Sequence, residues 1–350
     1  MPSQPASTPP RAPDPASIRG RVLGWFEAHG RSLPGRDVQD PWRVLVLEVM
    51  SQQTQIDRCL RARDAFCERF PTPESLATAS PADAVRAWAG LGYNRRALAL
   101  RRAAQVTVER HGGRVPSEVG ALDDLPGVGA YTARAVAARA FAAAVTPVDV
   151  NVRRVLSRLL GTTDAHEIQA YGDALAGREI RRGDGLEVAD AAPIDGAHPT
   201  PISEASGRFG EPQGEPAEPS GGLAERPARI ADALMDLAAA VCRPRNPRCE
   251  ECPIRAECRF VRGEPPAIPS PAPASRARRA SVERPFPATR RWLRGQILRE
   301  LRAVPDGAWL ALEGGRGSHG HVSVREALSA LADEGFLEID REGRARLSKS

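Results

Sequence analysis

The sequence predicts an all-α fold with a small additional domain at its end. From Ile18 to about Arg262, apolar residues recur at helical spacing in segments such as VLGWF, CLRARDAF, ADAVRAWAGL and RIADALMDLAAAVC. Strand-type alternation is scarce in this region. A stretch rich in Pro and Arg over residues 263–288 then separates the region from residues 289–350. A chain of 350 residues with this layout should hold two to three domains.

The composition excludes a membrane span, because no apolar run approaches the ~18 residues that a spanning helix needs. Residues 1–17 are rich in Pro, Ser and Ala and predict a disordered tail without a signal peptide, so we expect an intracellular, cytoplasmic protein. A net charge of +5 is too small to identify a nucleic-acid binder by itself. The arginines, however, cluster at 95–102, around the last four cysteines and at 276–302.

Residues 40–55 predict a buried helix that carries one acid. An Asp-Pro start precedes an almost wholly apolar run, which only Glu48 interrupts. Glu48 is either paired within the core or kept partly protonated by desolvation, which is the state a general acid requires. Gln52 follows one turn later, and Gln53 and Thr54 extend a polar end that could enter a DNA duplex.

The segment from Leu125 to Arg154 combines a glycine turn with a carboxylate. Gly127 and Gly129 stand where helical periodicity restarts, so their backbone N–H groups can point outward toward a phosphate at the start of a helix. Asp149 lies 20 residues after Gly129. It is an ordinary helix N-cap, a carboxylate that can face a cationic sugar, or both.

Four cysteines within 17 residues predict a metal centre. Cys242, Cys249, Cys252 and Cys258 form a C-x6-C-x2-C-x5-C run. Zinc remains the alternative, although zinc ribbons usually separate two C-x2-C pairs by a longer stretch. Cys59 and Cys67 lie in a helical stretch with apolar neighbours and are expected to be buried, unligated thiols. Free thiols together with a cluster indicate a reducing compartment.

Several of these motifs resemble, in the same order, those of MutY-type adenine DNA glycosylases in the helix-hairpin-helix, iron–sulfur superfamily. The motifs are RSLPGR (31–36), EVMSQQT (48–54), GLGYNRRA (90–97), the LPGVG turn, PVDVNVRRV and the cysteine loop. The resemblance implies a two-lobed fold. Residues 42–144 would form a helical barrel with the helix-hairpin-helix, and residues 18–41 and 145–262 would form a lobe with a [4Fe-4S] cluster on the four cysteines.

The resemblance also implies roles for individual residues. Glu48 would protonate the departing adenine, Asp149 would stabilise the sugar cation, and Tyr131 would hydrogen-bond the catalytic carboxylates. Lyase-type relatives carry a lysine at the position of Tyr131, whereas the only lysine here is Lys349, which predicts hydrolysis without strand cleavage. Contacts to DNA or to the bases are expected from Arg31, Arg36, Gln52, Gln53, Thr54, Leu91, Tyr93, Gly127 and Gly129. Tyr93 is either a core aromatic or a wedge that replaces lost stacking.

The chain departs from the family pattern in five places. Gly35 and Asn94 replace a tryptophan and a tyrosine that are usual there, and a disordered insertion is expected over residues 182–227. Ala231 and Asp232 replace the usual Asn-Gln pair. Residues 289–350 predict two helices and a hairpin, which suits either a small winged-helix domain or a helical accessory module without DNA contact. They leave no room for the larger Nudix-like domain that reads 8-oxoguanine in many relatives.

The expected activity is excision of adenine mispaired with 8-oxoguanine or guanine in double-stranded DNA, by a monomer that leaves the abasic site to a separate endonuclease. Two alternatives stay open. One is a thymine-mismatch glycosylase of the same superfamily, although the Gln-Gln-Thr motif argues against it. The other is a non-enzymatic DNA-binding regulator that senses oxidation through its cluster, which leaves Glu48, Tyr131 and Asp149 unexplained.

Overall fold

A computed structural model describes residues 11–179, 227–263 and 285–349. Apart from their edges, the predicted insertion 182–227 and linker 263–288 lie outside these residues, as does the start of the predicted tail. Residues 11–17 correct that prediction. Asp14 accepts hydrogen bonds from the first backbone N–H groups of a helix that begins at Pro15, and Ala12 is buried.

The described residues are mainly helical, as predicted. The helices are α1 (Pro15–His29), α2 (Pro41–Ser51), α3 (Ile56–Arg69), α4 (Pro73–Ala77), α5 (Pro81–Ala87), α6 (Arg95–His111), α7 (Val119–Asp123), α8 (Ala130–Phe141), α9 (Val150–Leu160), α10 (Ala165–Leu175), α11 (Pro227–Ala240), α12 (Arg290–Ala303) and α13 (His321–Asp333). The strands are β1 (Leu337–Ile339) and β2 (Ala345–Leu347). Within the described residues, none of these helices is both long and apolar enough to cross a membrane.

The chain divides into two compact units. Among the described residues, unit 1 comprises residues 11–31, 142–179 and 227–263, and unit 2 comprises residues 32–141 and 285–349. In unit 1, helices α1, α9, α10 and α11 enclose a core that includes Ile18, Leu156, Tyr171 and Leu234. Burial of this apolar surface is the main force that holds the four helices together.

Unit 2 is built around α2, which the sequence predicts as a buried helix. Seven of its eleven residues are buried, and it packs against α3, α6 and α8. The indole of Trp42 donates to the backbone oxygen of Phe70 at 2.9 Å, which fixes the start of α2 against the end of α3. The short α7 packs on α8 to form a helical hairpin.

Residues 285–349 form an accessory domain within unit 2 that contains the two helices and the hairpin predicted from the sequence. Helices α12 and α13 precede an antiparallel hairpin in which Leu337 pairs with Leu347, and Leu310 adds a bridge to Ala345. Its core, which includes Ile297, Leu301, Leu331 and Phe336, continues onto Ala82, Val85 and Leu98 of α5 and α6. The accessory domain is therefore docked on the helices of unit 2 through a shared apolar core.

Candidate functional site

The catalytic acid predicted from the sequence lies in the last third of α2. Asp40 caps this helix by accepting from the N–H of Arg43 at 2.7 Å. Glu48 is half-buried, and its neighbours in the sequence, Leu47 and Val49, are buried. It is the one acidic side chain of a helix whose residues are mostly buried.

The Gln-Gln-Thr motif forms a tight turn directly after α2. The helix ends at Ser51, whose oxygen accepts from the N–H of Thr54 at 3.2 Å. Gln53 is exposed and has a φ of 57°, a left-handed conformation that is unfavourable for a residue with a Cβ. Gln52 donates to the oxygen of Gly127 at 3.1 Å and so ties this turn to the hairpin.

Residues 90–95 form a second strained loop beside this turn, which we call the wedge loop. Gly90 and Gly92 have positive φ, and Tyr93 also adopts the left-handed conformation with a φ of 45°. The side chain of Tyr93 is 37% exposed, whereas Leu91 is only 3% exposed. Of the two residues expected to probe the duplex, Tyr93 is thus the one at the surface.

Arg96 crosslinks the two loops, a role that the sequence analysis did not assign. Its guanidinium donates to the backbone oxygens of Val49, Met50 and Gln52 at 2.6–3.0 Å and to those of Leu91 and Gly92 at 3.2–3.4 Å. It also donates to the hydroxyl of Thr54 at 2.9 Å. Arg96 is 9% exposed, and burial lowers its pKa from the ordinary value. One buried cation therefore holds both left-handed turns in place.

The helical hairpin presents its glycine turn and Tyr131 at the surface. Gly127 has a φ of 82°, and a Cβ built on it would lie 2.7 Å from the Cβ of Ala99 in α6, so only glycine fits. Gly129 has neither constraint, since a Cβ there would meet nothing within 4 Å. Tyr131 lies at the start of α8 and is 38% exposed.

In unit 1, Asp149 is the N-cap of α9. One carboxylate oxygen accepts from the N–H groups of Asn151 and Val152, both at 2.8 Å, and the other accepts from the side-chain amide of Asn151 at 2.7 Å. The capping role that the sequence allows is therefore present. It also fixes the carboxylate at the N-terminal end of α9.

The two arginines of the RSLPGR motif have different surroundings. Arg31 donates to Asp236 through its side chain at 2.6–3.0 Å and through its backbone N–H at 2.8 Å, and Asp236 is 2% exposed. Arg31 and Asp236 thus form an ion pair within unit 1, which the sequence analysis did not identify. Arg36 lies in unit 2, where its backbone oxygen accepts from Arg139 at 2.9 Å.

The sequence is similar to those of known DNA repair proteins. The profile of the HhH-GPD superfamily of base excision DNA repair proteins matches residues 46–174. Adenine DNA glycosylase of Mycobacterium tuberculosis is 34% identical over 331 residues, which cover 92% of this chain and 93% of that protein. This chain belongs to the adenine DNA glycosylase family. It is a base excision repair glycosylase, a hydrolase that acts on N-glycosyl bonds.

Two further similarities describe how far the family resemblance extends. Human adenine DNA glycosylase is 33% identical over 252 residues, which cover 69% of this chain and 39% of the human protein. The solved structure of a thermostable thymine-DNA glycosylase superposes with a TM-score of 0.53 at 23% identity, over 71% of this glycosylase and 97% of that chain. The latter likeness establishes the helix-hairpin-helix glycosylase fold.

The cysteine loop of this glycosylase has the donors that an iron–sulfur cluster requires. Cys242, Cys249, Cys252 and Cys258 are all in thiol form in unit 1, and three of them pack against its core. Burial raises the pKa of Cys252 to about 11, with a further contribution from the charges of the other three thiols. Soft thiolates in this number suit a cluster. Within residues 11–179, 227–263 and 285–349, no group of three or more His, Cys, Asp or Glu side chains is arranged to hold a single metal ion.

Proposed function

We propose that this glycosylase excises adenine mispaired with 8-oxoguanine or guanine and leaves an intact strand with an abasic site. The observation that carries the proposal is Glu48, the only acid of α2, half-buried in an apolar helix and one turn ahead of the Gln-Gln-Thr turn. The family to which the chain belongs supports adenine as the base.

The first step is protonation of the departing base. The carboxyl of Glu48 would transfer its proton to N7 of adenine, which makes the base a better leaving group. The bond between C1′ and N9 then breaks, and its electron pair leaves with the neutral adenine. Tyr93 and the Gln-Gln-Thr turn would replace the stacking that the duplex loses when the adenine is extracted.

The second step takes place at the sugar. The carboxylate of Asp149 would stabilise the positive charge that develops at C1′, electrostatically or by a transient covalent bond. A water molecule then adds to C1′, any bond between C1′ and Asp149 breaks, and the proton that the water loses returns to the carboxylate of Glu48, which yields the abasic sugar. Tyr131 would hydrogen-bond the catalytic carboxylates and thereby hold them in position.

Strand cleavage through an imine needs a lysine near the sugar, and the sequence offers only Lys349. Its amine lies 3.9 Å from Asp306 in the accessory domain. We therefore propose a monofunctional glycosylase whose abasic product passes to a separate endonuclease.

We further propose that the four cysteines of unit 1 hold a [4Fe-4S] cluster. The cluster, when bound, would crosslink the loop after α11. Arg158 already donates to the backbone oxygen of Arg243 at 2.8 Å and contacts the sulfur of Cys242 at 3.4 Å, so the protein itself anchors this loop to α9.

The proposal is tested with duplexes that carry A:8-oxoguanine, A:G or T:G, followed by alkali to reveal abasic sites. We expect breaks at adenine in the first two, no break before alkali, and no product trapped by borohydride. Glu48→Gln should lower the single-turnover rate by roughly 100- to 10,000-fold, whereas the exposed control Glu68→Gln should leave it unchanged. Excision confined to T:G, or efficient borohydride trapping, would refute the assignment.

A further inference from the structure

The side chain of Tyr93 is held by the accessory domain. Arg291 of α12 donates to the Tyr93 hydroxyl at 2.8 Å, and its guanidinium carbon lies 3.8 Å over the centre of the Tyr93 ring. A cation in this position is attracted by the negative face of the aromatic ring. One arginine therefore engages both the hydroxyl and one face of this tyrosine.

The two residues that follow Tyr93 are held by separate contacts. Arg302 donates to the side-chain oxygen of Asn94 at 2.7 Å, and Arg95 donates to both carboxylate oxygens of Glu334 at 2.6 and 2.8 Å. These bonds do not involve the arginine that lies over the ring, so they keep the wedge loop docked when that arginine moves. The contact at Tyr93 can thus open by side-chain movement alone, while the accessory domain stays in place.

Arg291 and Tyr93 both have room for such a movement. They line a cavity of about 620 Å³ within unit 2, and both side chains are exposed. Among the residues that the structure describes, no carboxylate lies within ion-pair distance of Arg291. Its neighbour Arg294, by contrast, is paired with Glu334. The contact with Tyr93 is therefore reversible in a way that the surrounding ion pairs are not.

The contact occupies the surface that a wedge residue needs. A tyrosine that enters a duplex replaces the lost stacking with the faces of its own ring. While Arg291 lies over one face of Tyr93, no base can stack on that face, and the hydroxyl is also engaged. Entry of Tyr93 into a duplex therefore requires this contact to break first.

We propose that the contact between Arg291 and Tyr93 is an autoinhibitory latch, which DNA must displace before Tyr93 can enter the duplex. The inference rests on the proposed function, because it takes Tyr93 as the wedge. When only a fraction of a protein is competent to bind, its apparent affinity is reduced by that fraction. The latch thus lowers the affinity for a duplex with a gap in its stack and restricts wedge insertion to DNA that binds tightly enough to displace Arg291.

Binding and base unstacking test the latch while the opposing base is kept constant. One duplex carries a tetrahydrofuran abasic-site analogue opposite guanine, with 2-aminopurine as the neighbouring base, and a second duplex is fully paired. Fluorescence anisotropy gives the affinity of the full chain, and stopped-flow fluorescence of 2-aminopurine gives the rate at which the neighbouring base loses its stacking.

The variants separate the latch from a simple loss of charge. Arg291→Ala removes the latch, whereas Tyr93→Phe removes only the hydroxyl and keeps both the ring and the net charge. A double variant that combines Arg291→Ala with Tyr93→Ala has neither latch nor wedge. Arg290→Ala is the matched control, since Arg290 is exposed and pairs with Glu326 instead of Tyr93.

We expect Arg291→Ala to bind the tetrahydrofuran duplex roughly ten- to a hundred-fold more tightly than the wild-type protein, because it loses a charged hydrogen bond and a cation–π contact that oppose insertion. Tyr93→Phe should show a smaller gain, and both variants should unstack 2-aminopurine faster. Arg290→Ala and the double variant should show no gain, and neither should any variant on the fully paired duplex, which has no gap for the ring.

The sign of the effect decides the question. Weaker binding by Arg291→Ala would identify Arg291 as a DNA contact and overturn the latch. Unchanged binding, or a gain that persists in the double variant, would overturn it as well. A wild-type protein that unstacks 2-aminopurine but cuts no adenine in the excision assay would refute the proposed function instead.

Discussion

Arg96 provides the most demanding test of how the two loops are held. Arg96→Met keeps a long side chain of similar shape and removes every donor. Five backbone oxygens and the hydroxyl of Thr54 then lose a partner. The oxygen of Met50 keeps the thiol of Cys59 at 3.2 Å, and the oxygen of Gly92 keeps the indole N–H of Trp88 at 3.1 Å. Both loops would have to take in water or change conformation.

The magnitude follows from these contacts. A hydrogen bond to a charged group contributes about 1.5–3 kcal/mol, but six such bonds share one cation whose burial is itself costly, so the values do not add. Breaking a buried charged network typically destabilises a protein by about 3–5 kcal/mol. For a domain the size of unit 2, each kcal/mol lowers the melting temperature by about 2–4 °C, so we expect a decrease of about 6–20 °C.

The measurement is thermal unfolding of the full chain by circular dichroism, with Arg102→Ala as the control on the same helix. Arg102 is exposed, so its loss should change the free energy of unfolding by less than about 0.5 kcal/mol. Arg96→Lys is the decisive variant, since an ammonium group cannot span carbonyls of both loops. A lysine variant as stable as the wild-type protein would refute the argument, because charge alone would then be sufficient.

Substitutions at three other positions each predict a different measurable effect. Asp149→Asn should lower the single-turnover excision rate by roughly 100-fold or more. It should leave the melting temperature nearly unchanged, because asparagine caps helices about as well as aspartate. A lower melting temperature with an unchanged excision rate would instead indicate a purely structural role. Gly127→Ala should destabilise the protein by about 1–3 kcal/mol in urea unfolding, because its φ is 82° and its Cβ would overlap Ala99, whereas Gly129→Ala should be neutral within about 0.5 kcal/mol. Hydrogen bonds from Arg95 and, to a lesser extent, from Arg294 lower the pKa of Glu334 from its ordinary 4.5 to about 2. Ionised Glu334 should therefore stabilise the fold by up to ~3 kcal/mol above pH 4.5, and this contribution should be lost as the pH falls toward 2. The difference in unfolding free energy between wild type and Glu334→Gln should thus be large at pH 6 and vanish near pH 2, and a difference independent of pH would contradict this account.

Residues 40–55 illustrate what can be predicted from the sequence. The Asp-Pro start and the apolar run predict a buried helix, and α2 is one. The predicted end is less accurate, because the helix stops at Ser51. The reason is the left-handed Gln53, whose conformation depends on the carbonyls that Arg96 binds and not on a turn residue such as glycine.

Contacts between distant segments could not be predicted in the same way. Five of the six acceptors of Arg96 are backbone oxygens, and the types of the residues that carry them do not indicate this contact. Arg31 and Asp236 are 205 residues apart, and neither residue type is unusual in its own segment of the sequence. The docking of the accessory domain likewise uses Ala82, Val85 and Leu98, which look like ordinary positions facing the interior of a helical domain.

The scarcity of lysine, finally, makes the accessory domain easy to observe. Lys349 is the only lysine of the chain, and its amine lies within 3.9 Å of Asp306, next to the backbone oxygen of Val304 that accepts from Arg86 of α5 at 3.2 Å. Apart from the α-amino group of Met1, an amine-reactive fluorophore would therefore attach at one side chain, close to where this domain meets α5. Its emission would report on undocking of the accessory domain in a protein without engineered labelling sites.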